Sequence, residues 1–247
     1  MMTARELVSR CVDVAEHYKT LYVMGCFGAP MTAANKKRYT QNHDYNKAAA
    51  RTRMIHAATE DTFGFDCVNL IKGILWGWDG DLSAQYGGAR YGSNGVPDVS
   101  ADGMVRLCKT ADFREIVLGA AVWMPGHIGL YIGEGLAVEC TPKWANGVQI
   151  TAVGNLGKKA GYDVRTWKKW GLLPYVSYEE AENVTYEQWK EFMDRYRKEL
   201  GEKEAPVWAQ NTGEWDAARE EGISDGRRPQ DLVTRAECAA MVLRGRN

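Results

Sequence analysis

The stretch 63-FGFDCVNLIKGILWGW-78 sets a single cysteine between an aspartate and an amphipathic run. Val68, Leu70, Ile71, Ile74, Leu75 and Trp78 recur at helical spacing, which predicts a helix from Val68 to about Trp78. Asp66 is a favoured N-cap immediately ahead of it. Cys67 then falls in the first turn, where the helix dipole and the free amide N–H groups favour a thiolate over a thiol. The ordinary alternative is a small buried apolar residue. Cys11, Cys108 and Cys238 lie inside helical patterns and Cys140 in a strand pattern, so the first-turn argument singles out Cys67.

A nucleophilic thiol needs a base. The chain has four histidines, 17, 43, 56 and 127. His17 belongs to the first helical pattern, and His43 and His56 to a polar segment. His127 follows Pro125-Gly126 and opens a β-prone run, which places an imidazole at a strand end where a substrate can approach. Glu139 interrupts the apolar run "LAVEC" twelve residues on. A hairpin of 127–133 and 136–140 turning at Gly133–Gly135 brings it beside His127, where a carboxylate fixes the imidazole's tautomer. Pairing with Lys143 is the structural alternative for Glu139.

These residues sit in a chain of two textures. Residues 3 to about 19 read as an amphipathic helix carrying Leu7, Cys11, Val14, Ala15 and Tyr18. "YVMGCFGAP" breaks it. Residues 31–60 read as a long polar insertion, helical in part near "YNKAAARTRMIHAA", and 79–99 as a glycine-rich loop. Ser100 caps a further short helix. From Ala120 the pattern changes to short β-prone runs, with Asn146-Gly147 as a hairpin turn and a last strand near Leu172–Tyr175. The sum predicts an α+β fold, a helical half packed on an antiparallel sheet. Beyond Ser177 helix returns. Ser177/Glu180, Thr185/Gln188 and Thr234/Glu237 fit capping boxes, with helical patterns at Trp208–Glu221 and Arg235–Arg244.

Composition narrows the function classes. The 247 residues carry a net charge of −1, so no broad cationic field points to nucleic acid or anionic lipid. No apolar run approaches the ~20 residues of a membrane span. The N-terminus is charged and lacks a secretory core, so synthesis in the cytoplasm, with action on the cell wall after release, is the expectation. No pair of the six cysteines is spaced C-x-x-C, which argues against structural zinc, and no cofactor is expected.

"FDCVNL", "GHIGLYIG" and "AVEC" resemble the three motifs of the NlpC-type papain-like cysteine peptidases, which cleave peptide bonds in bacterial peptidoglycan. The family cysteine, histidine and third polar residue fall on Cys67, His127 and Glu139. "LYVMG" makes Tyr22 the counterpart of a tyrosine near the thiol. The resemblance implies an acyl-enzyme mechanism in a domain spanning residues 1–177. The chain departs from the pattern in four places: Val68-Asn69 replace Ser-Gly, "GAAVWM" lacks an acidic residue, the 31–60 segment is longer than usual, and Glu139 replaces the commoner histidine. Trp123, Trp144, Trp167 and Trp170 are candidates for a cleft lining, with core the stronger reading. After a helix and linker at 178–205, residues 206–247 resemble one S-layer-homology repeat, "WDAAREEGISDGRRPQDLVTRAECAAMVLR". That resemblance implies binding to wall polymers or pairing with a second copy of the chain. The layout as a whole resembles a phage or prophage endolysin.

Overall fold

Thr3 opens the first helix: its hydroxyl accepts the Glu6 amide N–H at 3.1 Å. The computed structural model describes residues 1–108, 110–178, 186–227, 229–230, 238–239 and 242–243. They divide into two compact units, Met1–Glu179 and Glu180–Asn247. A short strand β1 (Met2–Thr3) runs into α1 (Ala4–His17), which buries Ala4, Leu7, Cys11 and Val14 as its apolar stripe predicts.

The segment expected to be only a break forms β2 (Thr20–Tyr22) and β3 (Phe27–Pro30). The polar insertion is more regular than its composition suggests, and folds as α2 (Ala33–Asn42), α3 (Asp44–Lys47) and α4 (Ala49–Ala57). Then β4 (Phe63–Phe65) enters between β2 and β3, parallel to the first and antiparallel to the second. Three or four residues per strand are too few to read as strands locally; their pairing partners lie about forty residues away and supply the stabilisation.

β4 delivers the chain directly into α5 (Cys67–Leu75), whose every residue is buried. Asp66 caps this helix as predicted, accepting the Asn69 amide at 2.8 Å. Gly73 is required on its inner face, because any Cβ there would stand 2.8 Å from the Phe27 carbonyl oxygen. Two tryptophans close the far end, Trp76 donating to the Val96 carbonyl at 2.9 Å and Trp78 to the Gly28 carbonyl at 3.0 Å. After the long loop comes α6 (Ala101–Met104), capped by Ser100, whose hydroxyl accepts the Gly103 amide at 2.9 Å.

The sheet half follows as β5 (Ala121–Met124), β6 (His127–Gly133), β7 (Leu136–Thr141), β8 (Gly147–Val153), β9 (Val164–Arg165), β10 (Lys169–Gly171) and β11 (Val176–Ser177). Six of these form one sheet, ordered β10-β5-β6-β7-β8-β9; it is antiparallel except that β9 runs parallel to β8. The fold of this unit is therefore α+β. The strand expected at Leu172–Tyr175 is displaced to either side of Pro174, which has no N–H for a ladder: β10 pairs with β5, and β11 with β1. The β7–β8 turn also differs, since Gly147 is already the first residue of β8 and Asn146 takes the left-handed conformation, φ 55°.

One sheet face, with Ile128, Leu130, Val138, Cys140 and Val148, shares a core with α1 and α5. The other carries Val122, Tyr131, Ala137 and Val153 under Trp167 and Phe113. In the second unit α7 (Tyr186–Gly201) is followed by α8 (Val207–Asn211) and α9 (Glu214–Glu220). The last two replace the single helix expected at Trp208–Glu221, because Gly213 adopts φ 71° and ends the run. Glu180, Thr185, Thr234 and Glu237 of the three predicted capping boxes, and most of the helix expected at 235–244, lie outside the described residues.

Candidate active site

The register of the central hairpin carries half of the site. β6 and β7 pair Leu130 with Val138 and Tyr131 with Ala137, so His127 and Glu139 fall on one face as diagonal neighbours. Gly133, Glu134 and Gly135 make the turn, all with positive φ. His127 Nε2 lies 2.6 Å from Glu139 Oε2. The ring stacks on Trp167, with centroids 5.4 Å apart and planes within 10°. The carboxylate of Glu139 is fully buried. It accepts the Thr151 hydroxyl at 2.7 Å on Oε1 and the Arg165 guanidinium at 2.7 Å on Oε2. Burial pushes the Glu139 carboxyl upward, but the hydrogen bonds from His127 and Arg165 outweigh it and hold the group below its ordinary value. Glu139 is thus an anion in the core, and Lys143 is not its partner; Lys143 lies over the Trp144 ring.

The other half is the start of α5. Cys67 is 6% exposed and lines a cavity of about 480 Å³ together with Tyr22, Asp66 and Asn69. Its sulfur meets the backbone N–H of Ile128, the residue after His127, and those of Cys67 and Val68 in its own first turn. The helix start and the strand start therefore come together at one end of the packed layers. Nε2 of His127 is committed to Glu139, which leaves Nδ1, the nitrogen nearer the backbone, without that partner; the ring itself does not line the Cys67 cavity. Among the described residues no hydrogen bond joins the thiol to the His127 ring; in unliganded sites such bonds often tighten only when substrate is bound.

The first-turn position predicted an acidified thiol, and the structure reverses this. Burial, with the Asp66 carboxylate adding to it, pushes the Cys67 thiol up to about 12, against the lowering effect of the three amides. A dipole contributes tenths of a kcal/mol to about one, while desolvating a thiolate costs several. Burial thus favours the neutral thiol over the thiolate at this position. Asp66 is itself buried and raised by that burial, opposed by amide donors from Asn69 and Gly25. Asn69, the departure from the family's Ser-Gly pair, donates its side-chain amide to Asp66 at 2.7 Å and so helps hold the cap.

Tyr22 lies on the wall of the same cavity; burial and then the nearby Cys67 raise its hydroxyl, which stays protonated. The insertion builds the wall behind it. Asn46, fully buried, accepts the Met24 amide at 3.1 Å and donates to the Met24 and Tyr39 carbonyls at 2.9 and 3.0 Å. Arg51 donates to the Tyr22 carbonyl and lies over the Tyr22 and Tyr45 rings. His43 reaches the cavity, and Gly25 with φ 79° is obligatory beneath it, since a Cβ would stand 2.2 Å from His43 Nε2. Replacing Asn46 by Leu strands these backbone groups. We expect a loss of about 2–4 kcal/mol, read as a lowered urea midpoint at unchanged m.

Four contributors escaped the sequence reading: Asn46, Asp102, Thr151 and Arg165. Asp102 accepts the Gly126 amide at 2.8 Å and the Trp123 indole at 3.2 Å, and so pins the turn ahead of His127. Of the four tryptophans considered for a cleft, none lines this cavity. Trp167 is core at 1% exposed, and Trp170 donates to the Asp112 carbonyl at 2.6 Å.

No family model matches the chain, and no curated protein matches it. Among solved structures, it is similar to the peptidoglycan hydrolase RipB from Mycobacterium tuberculosis, with 18% identity, 71% of this chain covered and a TM-score of 0.36. The chain spans 66% of the length of that structure.

Proposed function

We propose that this protein is a papain-like cysteine peptidase of the NlpC type that hydrolyses an amide bond in the stem peptide of peptidoglycan. The observation that carries the reading is the meeting of the Cys67 sulfur, at the start of α5, with the backbone beside His127, whose ring is held by the buried anion Glu139. The three motifs named above point to the same residues. The neutral resting thiol favours general-base catalysis over a preformed ion pair. His127 accepts the thiol proton as the sulfur attacks the scissile carbonyl, Glu139 stabilises the imidazolium, and the imidazolium returns the proton to the leaving amine. Water then hydrolyses the acyl-enzyme. First-turn amides of α5 and the Tyr22 hydroxyl are the candidate donors to the oxyanion.

The site of action is the cell wall after release from the cytoplasm, as a phage or prophage lysis enzyme; the two-unit layout supports this. Residues 206–247 hold the enzyme to wall polymers or to a second copy. Digestion of defined muropeptides by wild type and Cys67→Ala, with new termini identified by mass spectrometry, tests the reading. Amide cleavage by wild type alone supports it, and equal release by both proteins refutes it. Termini from a different amide or ester would instead mark an amidase or acyltransferase on the same fold. Deleting 206–247 and measuring binding to purified walls tests the module; unchanged binding refutes its wall role.

A further inference from the structure

We propose that Arg165 is a positioning residue that locks Glu139 against His127 and, as a permanent cation hydrogen-bonded to that carboxylate, offsets the anion beside the imidazole. The inference rests on the Cys-His-Glu reading above. Arg165 comes from the two-residue strand β9, whose register with β8 pairs it with Val153 and so puts it on the sheet face of Glu139 and His127. Its Nε lies 2.8 Å from Oε1 and 2.7 Å from Oε2 of Glu139, bisecting the carboxylate. Its Nη2 donates to the Thr141 hydroxyl at 3.3 Å, and its plane sits over Trp144 and Trp167 at 4.8 and 5.6 Å. Trp167 is also the ring on which His127 stacks. Arg165, Trp167 and His127 are thus one packed unit around Glu139.

The charges give this arrangement its consequence. A buried carboxylate alone beside an imidazole would hold a proton on the pair to high pH, and a protonated His127 cannot deprotonate a thiol. The groups facing Glu139 are His127 from β6, Thr151 from β8 and Arg165 from β9; the Cys140 thiol on β7 points to the opposite sheet face. Lys143 is directed over Trp144. Arg165 is the one fixed cation hydrogen-bonded to the carboxylate among the described residues. It offsets the anion and keeps its orienting hydrogen bond to Nε2.

The test is a ring-proton NMR titration of His127 in the full chain, for wild type, Arg165→Gln, Arg165→Met and Arg165→Lys, beside the pH profile of turnover. With the cation gone, the His127–Glu139 pair takes up its proton at a pH higher by about one unit or more, whichever partner holds it. The acid limb of turnover moves with it. Arg165→Lys keeps the midpoint near wild type while turnover falls, because an ammonium loses the planar guanidinium's contacts to the Thr141 hydroxyl and over the Trp144 and Trp167 rings that fix the carboxylate's orientation. A midpoint within about 0.3 unit of wild type in the folded neutral variants overturns the proposal, as does a shift in Arg165→Lys as large as theirs. A merely structural role lowers turnover without moving the midpoint. If wild type fails to turn over peptidoglycan, the proposed function fails, and the titration still decides the role of Arg165.

Discussion

Cys67→Ala is expected to lower turnover of peptidoglycan by about 10³-fold or more while the protein stays folded. The chemistry has no substitute nucleophile: the neighbouring thiols Cys26 and Cys140 are fully buried, and burial raises both. Removing one sulfur from the cavity wall leaves the Asp66 cap and the α5 core in place, so the thermal midpoint should move by only a few degrees. The resting state of the thiol is open to a second measurement. A thiol raised to about 12 is protonated through neutral pH. Its alkylation by iodoacetamide in the unliganded enzyme should therefore climb with pH from 6 to beyond 9, roughly tenfold per unit. A rate flat from pH 5 upward would show a preformed thiolate–imidazolium pair and would overturn the general-base assignment.

Glu139→Gln carries the second large effect, this time on stability as well as on rate. The side chain is fully buried, and Arg165 beside it is only 12% exposed. Loss of the anion leaves a buried guanidinium without its counter-charge, which costs about 3–5 kcal/mol. Turnover should fall by about 10²-fold or more, because the imidazolium formed during attack loses its partner. The effect depends on pH with a definite sign. The folded Glu139 carboxyl lies below its ordinary value, so its contribution is fully present above the unfolded value of about 4.3 and is lost as pH falls through the lower folded value. The Tm difference between wild type and Glu139→Gln should accordingly be largest near neutrality and shrink below pH 4. A Glu139→Leu/Arg165→Leu pair, which removes both charges, should regain much of the stability while remaining inactive. A single Glu139→Gln variant as stable as wild type at pH 7 would sink the claim that this ion pair is charged.

Several local features could be read before any fold was known. The α5 stripe and its Asp66 cap, the α1 stripe and the central hairpin are period-3.6 and period-2 patterns bounded by their own caps and turns, and each appears where its residues indicate. The nearness of His127 to Glu139 was legible for the same reason, since a hairpin turning at Gly133–Gly135 fixes register by chain geometry alone.

Other features depend on partners remote in sequence. β2 and β3 exist because β4 enters between them from beyond the insertion. The insertion's fully buried Asn46 looks like any loop asparagine until Met24 is brought to it. Arg165 reaches Glu139 only because a two-residue parallel strand docks on β8, an element with too few residues to leave a periodic signal. The protonation of Cys67 belongs to this second group as well. Helix position is a property of neighbours in sequence and argued for an anion, whereas desolvation is a property of everything packed around the sulfur. The sequence by itself determined which residues begin the helix and the strand; only the tertiary structure decided how deeply they lie, which charges face them, and therefore which of them holds a proton.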